Sequence, residues 1–254
     1  MRRALLLFLV LSCTVLEDRT ACPCRLQIDL TGIAFSGEVG LALSLDGGSW
    51  REFRSCTLPD TESVTLPVPR GEVSLLAVCP SPPTFLSGDP GFEIPSGEDC
   101  PRLLTGALTI DTRREDAVCR PEVHKNYCVL TLRLPTEGEE PFPFQISLLG
   151  TVSGFHPTGE PREGPFFFTL PPFDAEGKTR AGIPRQKDAS LRMDILFSDQ
   201  VQRSFALGEV LSRQGYDWTA ADLEDIELEL DFARTALTLR TRLWEEIFVY
   251  EKVL

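Results

Sequence analysis

Histidine is nearly absent from this chain, with two in 254 residues, His124 and His156. His124 stands beside Lys125 and His156 lies in a Gly/Pro-rich turn. Neither has a second histidine at metal-ligand spacing. Gly-x-Ser-x-Gly, His-Glu-x-x-His and a phosphate-cradling glycine loop are also missing. The sequence therefore offers no catalytic residue, no metal site and no cofactor. Positive charge is in short supply, with 25 Lys and Arg against 38 Asp and Glu, a net charge of −13. So acidic a surface repels phosphate backbones, which argues against nucleic acid as a partner. No apolar run reaches the roughly 20 residues that span a bilayer. Cysteine stops at Cys128, so residues 129–254 have none.

What is present begins at the N-terminus. Arg2 and Arg3 precede a short apolar run, Ala4 to Ser12, and Cys13 follows at once. A basic start, a short apolar stretch and a small residue before the cut form a secretory signal. A cysteine at the cut resembles the lipobox of a bacterial lipoprotein, whose thiol is acylated and becomes the new N-terminus. This reading makes residues 1–12 a signal peptide, Cys13 the lipidation site and residues 13–21 a lipidated tether. Two or three acyl chains, at about 0.8 kcal/mol per buried CH₂, anchor where one would not. Seven cysteines then remain, from Cys22 to Cys128. Export through an oxidising compartment predicts that some pair, and an odd number leaves at least one unpaired. Cys22-Pro-Cys24 is one residue short of redox spacing and lacks the second pair that zinc needs.

Beyond the tether, apolar and polar residues alternate with period two, the pattern of half-buried strands. Leu26, Ile28 and Leu30 share one face, and Val39 to Leu45 repeat the pattern up to a turn at Asp46-Gly47-Gly48. Val64 to Val68 and Val73 to Ala77 flank Arg70-Gly71 at a spacing that suits a hairpin. Residues 80–101, rich in Pro, Gly and Ser, read as a long loop, and Leu108 and Ile110 close the first unit. Cys128 to Leu134 echoes Cys24 to Leu30 in length, leading cysteine and alternation, which points to a degenerate internal duplication. Further strands are expected at Phe144–Leu148, Phe166–Leu170, Leu191–Phe197, Ile226–Leu230, Leu237–Leu239 and Ile247–Tyr250. Phe205 to Arg213, ended by Gly215, is the one helical stretch. Short strands with almost no helix predict an all-β chain of two tandem sandwiches, residues 22–121 and 122–254, with one short helix in the second.

The acidic residues Asp222, Glu224, Asp225, Glu227, Glu229 and Asp231 carry no calcium-loop order. Glu227, Glu229 and Asp231 alternate with Leu228 and Leu230, the wet face of a strand. Trp50, Phe85, Phe92 and Trp218 are the aromatics that could stack on sugar rings, though most aromatics in such folds are core.

Several segments, in this order, resemble the FimB-like anchor (minor subunit) lipoproteins of Bacteroidetes type V fimbriae. They are the lipidated start with Cys22-Pro-Cys24-Arg25-Leu26, then Pro69-Arg70-Gly71 and the strand after it, and His124 to Leu134. Ser147 to Phe155, Leu207-Gly208-Glu209-Val210-Leu211, Gly215-Tyr216-Asp217-Trp218 and Asp222 to Ile226 complete the set. The resemblance spans nearly the whole chain, and its motifs are structural and diffuse. It implies two transthyretin-like Greek-key sandwiches at the base of a fimbrium, held in the outer membrane by lipid and exposed on the surface. Its partners would be fimbrillin or other pilus subunits, joined by donor-strand complementation. An incomplete sheet exposes amides and apolar pockets until another strand fills them. The candidate joining elements are the first strand, with Leu26, Ile28 and Leu30, and the last, with Ile247, Val249 and Tyr250. The competing reading is a surface lipoprotein whose loops hold glycan or a host protein, an adhesin.

Overall fold

A computed structural model describes residues 22–81, 91–134, 144–197, 202–231, 236–241 and 244–251. Cys13, the apolar run before it and Phe85 lie outside these residues. The first half of the chain forms β1 (Cys24–Asp29), β2 (Gly37–Leu45), β3 (Arg51–Leu58), β4 (Ser63–Val68), β5 (Glu72–Cys79), β6 (Phe92–Glu93), β7 (Leu104–Asp111), β8 (Asp116–Cys119) and β9 (His124–Lys125). The second forms β10 (Tyr127–Arg133), β11 (Phe144–Phe155), β12 (Pro161–Thr169), β13 (Lys178–Pro184), β14 (Arg192–Phe197), β15 (Gln202–Phe205), α1 (Leu207–Arg213), β16 (Ile226–Asp231), β17 (Ala236–Thr241) and β18 (Trp244–Glu251).

These strands build two sandwiches. Sheet β4-β1-β8 faces sheet β3-β2-β5-β7-β9 across Leu26, Ile28, Val39, Leu41, Leu75 and Ala77. Sheet β13-β10-β16-β17-β18 faces sheet β12-β11-β14-β15 across Leu130, Leu132, Ile146, Leu148, Phe155 and Ile183. Each fully buried aliphatic side chain contributes about 1.5–3 kcal/mol relative to exposure. In β1 the alternation is strict, with Leu26 and Ile28 buried and Arg25 and Gln27 exposed. In β5 it breaks down because both faces are covered. Leu75 and Ala77 enter the first core, while Leu76 and Val78 join the second cluster.

The expected duplication is visible strand by strand. β1 has β4 antiparallel on one side and β8 parallel on the other, and β10 has β13 and β16 in the same senses. Leu26 lies opposite Ala117 and Ile28 opposite Cys119, just as Leu130 lies opposite Ile226 and Leu132 opposite Leu228. The companion sheets correspond too, β3-β2-β5-β7 with β12-β11-β14-β15. Three additions break the symmetry. β9 lies beside β7, the hairpin β17–β18 extends beyond β16, and the β5–β7 connection carries β6, which pairs with β11 of the second copy.

Local chemistry explains the turns. Asp46 at φ 50° and Gly47 at φ 70° are the centre of the turn that opens the β2–β3 connection, closed by Gly48 N–H on Leu45 O at 2.8 Å, as the Asp-Gly-Gly signal predicts. The helix ends in a Schellman motif, where Gly215 at φ 78° lets Tyr216 N–H reach Leu211 O at 3.0 Å and its own N–H reach Ser212 O at 3.1 Å. The expected hairpin about Arg70-Gly71 is not formed. β4 pairs with β1 while β5 pairs with β2 and β7, so this turn carries the chain from one sheet to the other. Thr112 fixes the crossing by donating its hydroxyl to Pro69 O at 2.8 Å.

The expected disulfides are likewise absent among the described residues, where all seven cysteines are free and six are buried. Cys24, Cys79, Cys119 and Cys128 sit on four different strands and pack as small apolar side chains. Burial pushes the Cys79 and Cys128 thiols up to about 12 and the Cys119 thiol to about 11.

Candidate partner-binding edge

The two strands proposed for joining occupy different places. β1 is the middle strand of its sheet, hydrogen-bonded to β4 and β8, with Leu26 and Ile28 at 0% exposure and Leu30 at 1%. Its apolar face is the first core, so β1 has no free edge. β18, which carries Ile247, Val249 and Tyr250, is the outer strand of the second sandwich and pairs with β17 from Ala236↔Glu251 to Thr241↔Trp244. The structure does not bring the two together, since one lies inside the first sandwich and the other edges the second.

Comparing the copies identifies a third element that alternation does not reveal. In the second sandwich β17 covers the outer side of β16, with Glu227 opposite Arg240 and Leu228 opposite Leu239. Its counterpart in the first sandwich is β8, and among the described residues no strand pairs with the outer side of β8. Val118, equivalent in register to Glu227, is 69% exposed there.

β8 is a short strand held by charge at both ends. Arg25 donates its backbone N–H to Glu115 O at 2.7 Å and its Nε to Asp116 Oδ1 at 2.7 Å. At the other end Arg120 Nη2 donates to Asp29 Oδ2 at 2.6 Å. The Thr31 hydroxyl, the Arg120 guanidinium and the Thr31 amide hold the Asp29 carboxyl down at about 2. The seam between β1 and β8 is thus fastened by side chains as well as by its ladder.

The joint between the sandwiches is a groove of about 440 Å³ that includes His124, Asn126, Arg185 and Trp218. Thr105 of β7 pairs with His124 of β9, and Tyr127 then pairs with Pro184, so Asn126 alone separates the two sheet systems. Asn126 Nδ2 donates to Thr105 Oγ1 at 2.9 Å, and its Oδ1 accepts from Arg185 Nη2 at 3.1 Å. Arg185, buried in the groove wall, also donates to the carbonyls of Trp218, Ala220 and Ala221. Its neutral acceptors make the cluster a clamp. Asp222 and Asp225, from the acidic stretch, bind the backbone N–H groups of Lys125 and Val129. His124 Nδ1 lies 3.7 Å from Asp222 Oδ2. No group of three or more metal-ligating side chains converges among the described residues.

Three of the aromatics suggested for sugar stacking, Trp50, Phe92 and Trp218, are otherwise engaged. Trp218 is 8% exposed with its ring edge-on to Tyr216 at 4.6 Å, Phe92 packs on Phe155 at 5.2 Å, and Trp50 packs against the second core. Among the described residues the exposed aromatic is instead Phe167 on β12, beside Leu149 and Leu196 on the outer face of the second sandwich.

No family model and no curated protein matches the sequence. Solved structures share the fold. A Bacteroides ovatus protein assigned as an adhesin superposes with a TM-score of 0.64 at 13% identity, over 90% of this chain and 96% of that one. A Bacteroides thetaiotaomicron protein assigned to polysaccharide binding gives 0.65 at 9% identity, over 90% and 99%. The fimbrial anchor protein Mfa2 of Porphyromonas gingivalis gives 0.56 at 10% identity, over 90% and 97%. This chain is therefore an all-β double sandwich that shares its fold with these proteins.

Proposed function

We propose that the chain is a fimbrial anchor or accessory subunit, tethered to the outer membrane through lipid on Cys13 and joined to fimbrillin by strand complementation. Its role is mechanical attachment and limitation of a pilus, without turnover of a substrate. The observation that carries this reading is the outer side of β8, which no strand covers among the described residues and where the duplicate sandwich holds an antiparallel strand. An extended segment from a partner would take the place that β17 takes beside β16, covering Val118 and continuing the sheet. Support for the fimbrial context comes from the fold shared with a protein named as a fimbrial anchor.

Wild type, Cys13→Ala and Val118→Lys forms, expressed in the native cell, test both halves separately. Cys13→Ala is expected to leave the membrane fraction and take its bound subunits with it. Val118→Lys is expected to stay in the membrane and recover about tenfold fewer pilus subunits, since a lysine on an edge blocks strand pairing. Equal recovery of pilus subunits with Val118→Lys would refute the edge, and an unacylated soluble wild type would refute the tether. The alternative, an adhesin holding glycan or a host protein, draws on the patch of Leu149, Phe167 and Leu196, with Phe167 and Leu196 40% and 43% exposed. Glycan binding lost in Phe167→Ala, with pilus assembly intact, would favour it.

A further inference from the structure

The β5–β7 connection is where the first copy far exceeds the second. It runs from Cys79 to Leu104, whereas the equivalent β14–β15 connection runs from Phe197 to Gln202. Its described part crosses onto the other sandwich. Phe92 and Glu93 pair with Phe155 and Gly154 of β11, and Ile94 N–H donates to Ser153 O at 2.7 Å. Gly97 N–H then donates to Phe167 O on β12 at 2.8 Å. Asp99 Oδ1 accepts the Gly182 N–H of β13 at 2.5 Å. β12 and β13 are the outer strands of the two facing sheets, so the segment closes that side of the second sandwich.

The acceptor is shaped for a backbone to lie against it. A Cβ at Gly154 would come 1.8 Å from Phe92 O, and one at Gly182 would come 2.5 Å from Cys100 O. Neither position has room for a side chain while the segment is seated. The segment also supplies core, since Ile94 at 3% exposure and Cys100 at 1% belong to the same buried cluster as Phe155 and Phe166.

We infer that the second sandwich is a strand acceptor whose cleft, along β11, β12 and β13, is filled within the chain by residues 91–100 of the first. The ligand is a peptide with an aromatic lead, a branched residue two positions on, a turn closed by Glu98 N–H on Pro95 O at 3.0 Å, and a carboxylate that caps the Gly182 amide. The two sandwiches are consequently one folding unit, and tension applied at either end passes through the filled cleft. This inference stands without the fimbrial reading.

Hydrogen exchange and urea unfolding of the full chain test it, with Phe92→Ala and Gly154→Val as variants. The wild type is expected to unfold in one transition, with the amides of Ile94, Gly97 and Gly182 protected alike. Phe92→Ala should lower protection about tenfold at these amides and, because the two sandwiches unfold together, at Leu41 and Leu75 as well. Gly154→Val, which blocks the seat, should split unfolding into two transitions. A synthetic peptide of residues 91–103 added to Phe92→Ala should restore protection at Gly182. Wild-type exchange at Ile94 and Gly182 in Phe92→Ala would overturn the inference, and that variant decides the matter if Gly154→Val does not fold.

Discussion

Replacing Arg185 with methionine would withdraw the donors from four acceptors at the joint, two of them buried and two partly buried. Nη1 donates to Trp218 O at 2.6 Å and Ala220 O at 2.7 Å, while Nη2 donates to Ala221 O at 3.0 Å and shares Asn126 Oδ1 with Nε. An orphaned buried acceptor costs about 1–3 kcal/mol. Two buried acceptors at about 2 kcal/mol each and two partly buried ones at about 1 kcal/mol each, less about 3 kcal/mol regained by no longer burying a charge, leave a loss of about 3 kcal/mol. With a urea slope of about 3 kcal/mol/M, the unfolding midpoint should fall by about 1 M. Arg185→Lys sharpens the test. It keeps the buried charge, yet its single ammonium cannot span acceptors arranged around a planar fork, so it should be no more stable than the methionine variant. A lysine variant with the wild-type midpoint, or a methionine variant losing less than about 0.5 kcal/mol, would refute the clamp.

Acid should loosen the β1–β8 seam. The Asp29 carboxyl sits at about 2 in the fold against an ordinary 3.8, so its contribution is complete above about 4 and fades as pH falls through 2. Unfolding measured between those limits should lose stability more steeply in wild type than in Asp29→Asn, and parallel curves would remove Asp29 from the seam. Thiol chemistry offers a second check. Of the seven described cysteines, exposed Cys22 alone should take a maleimide in the native protein, and the six buried thiols should react only on unfolding. Peptide mapping that finds native labelling at Cys79 or Cys128 would contradict the packing described.

Legibility in the sequence tracked how many faces each strand buries. β1, β10 and β16 have one buried face and one wet face, and their alternation located them. β3 escaped notice because Cys56 and Leu58 are its buried residues amid Arg51, Arg54 and Ser55. β13 opens Lys178-Thr179-Arg180, and its buried Thr179 is satisfied by donating to Pro171 O. Residues 80–101 read as a loop from their Pro and Gly content. The segment within them has order because another part of the chain supplies its partners, and no local pattern encodes that. The same holds for the candidate edge. Inward-facing Leu26, Ile28 and Leu30 were legible as an apolar face, but a strand's neighbours depend on pairings made far away in sequence. β8 meets β1 across some ninety residues, between charged neighbours that suggest a turn.

The character of that edge argues further for a partner. A sheet edge left open in solution is ordinarily guarded by charge, above all lysine, or by proline. Here one charge at each end of β8 is paired with a partner on β1. Asp116 is paired with Arg25, and Arg120 with Asp29. What remains at the middle of the strand is Val118, at the position where the duplicate, already covered by β17, carries Glu227 bonded to Arg133. The arrangement is inverted relative to protection, for the covered strand bears the charge and the open one bears the apolar side chain. Covering Val118 would contribute only about 1–1.5 kcal/mol by itself, so affinity must come from the ladder and from further side chains on the incoming strand. A valine there gives a pairing strand something to cover and leaves the protein with little to repel it. That is the pattern of an edge kept for occupation, and it is why a single lysine at that position is the sharpest perturbation available.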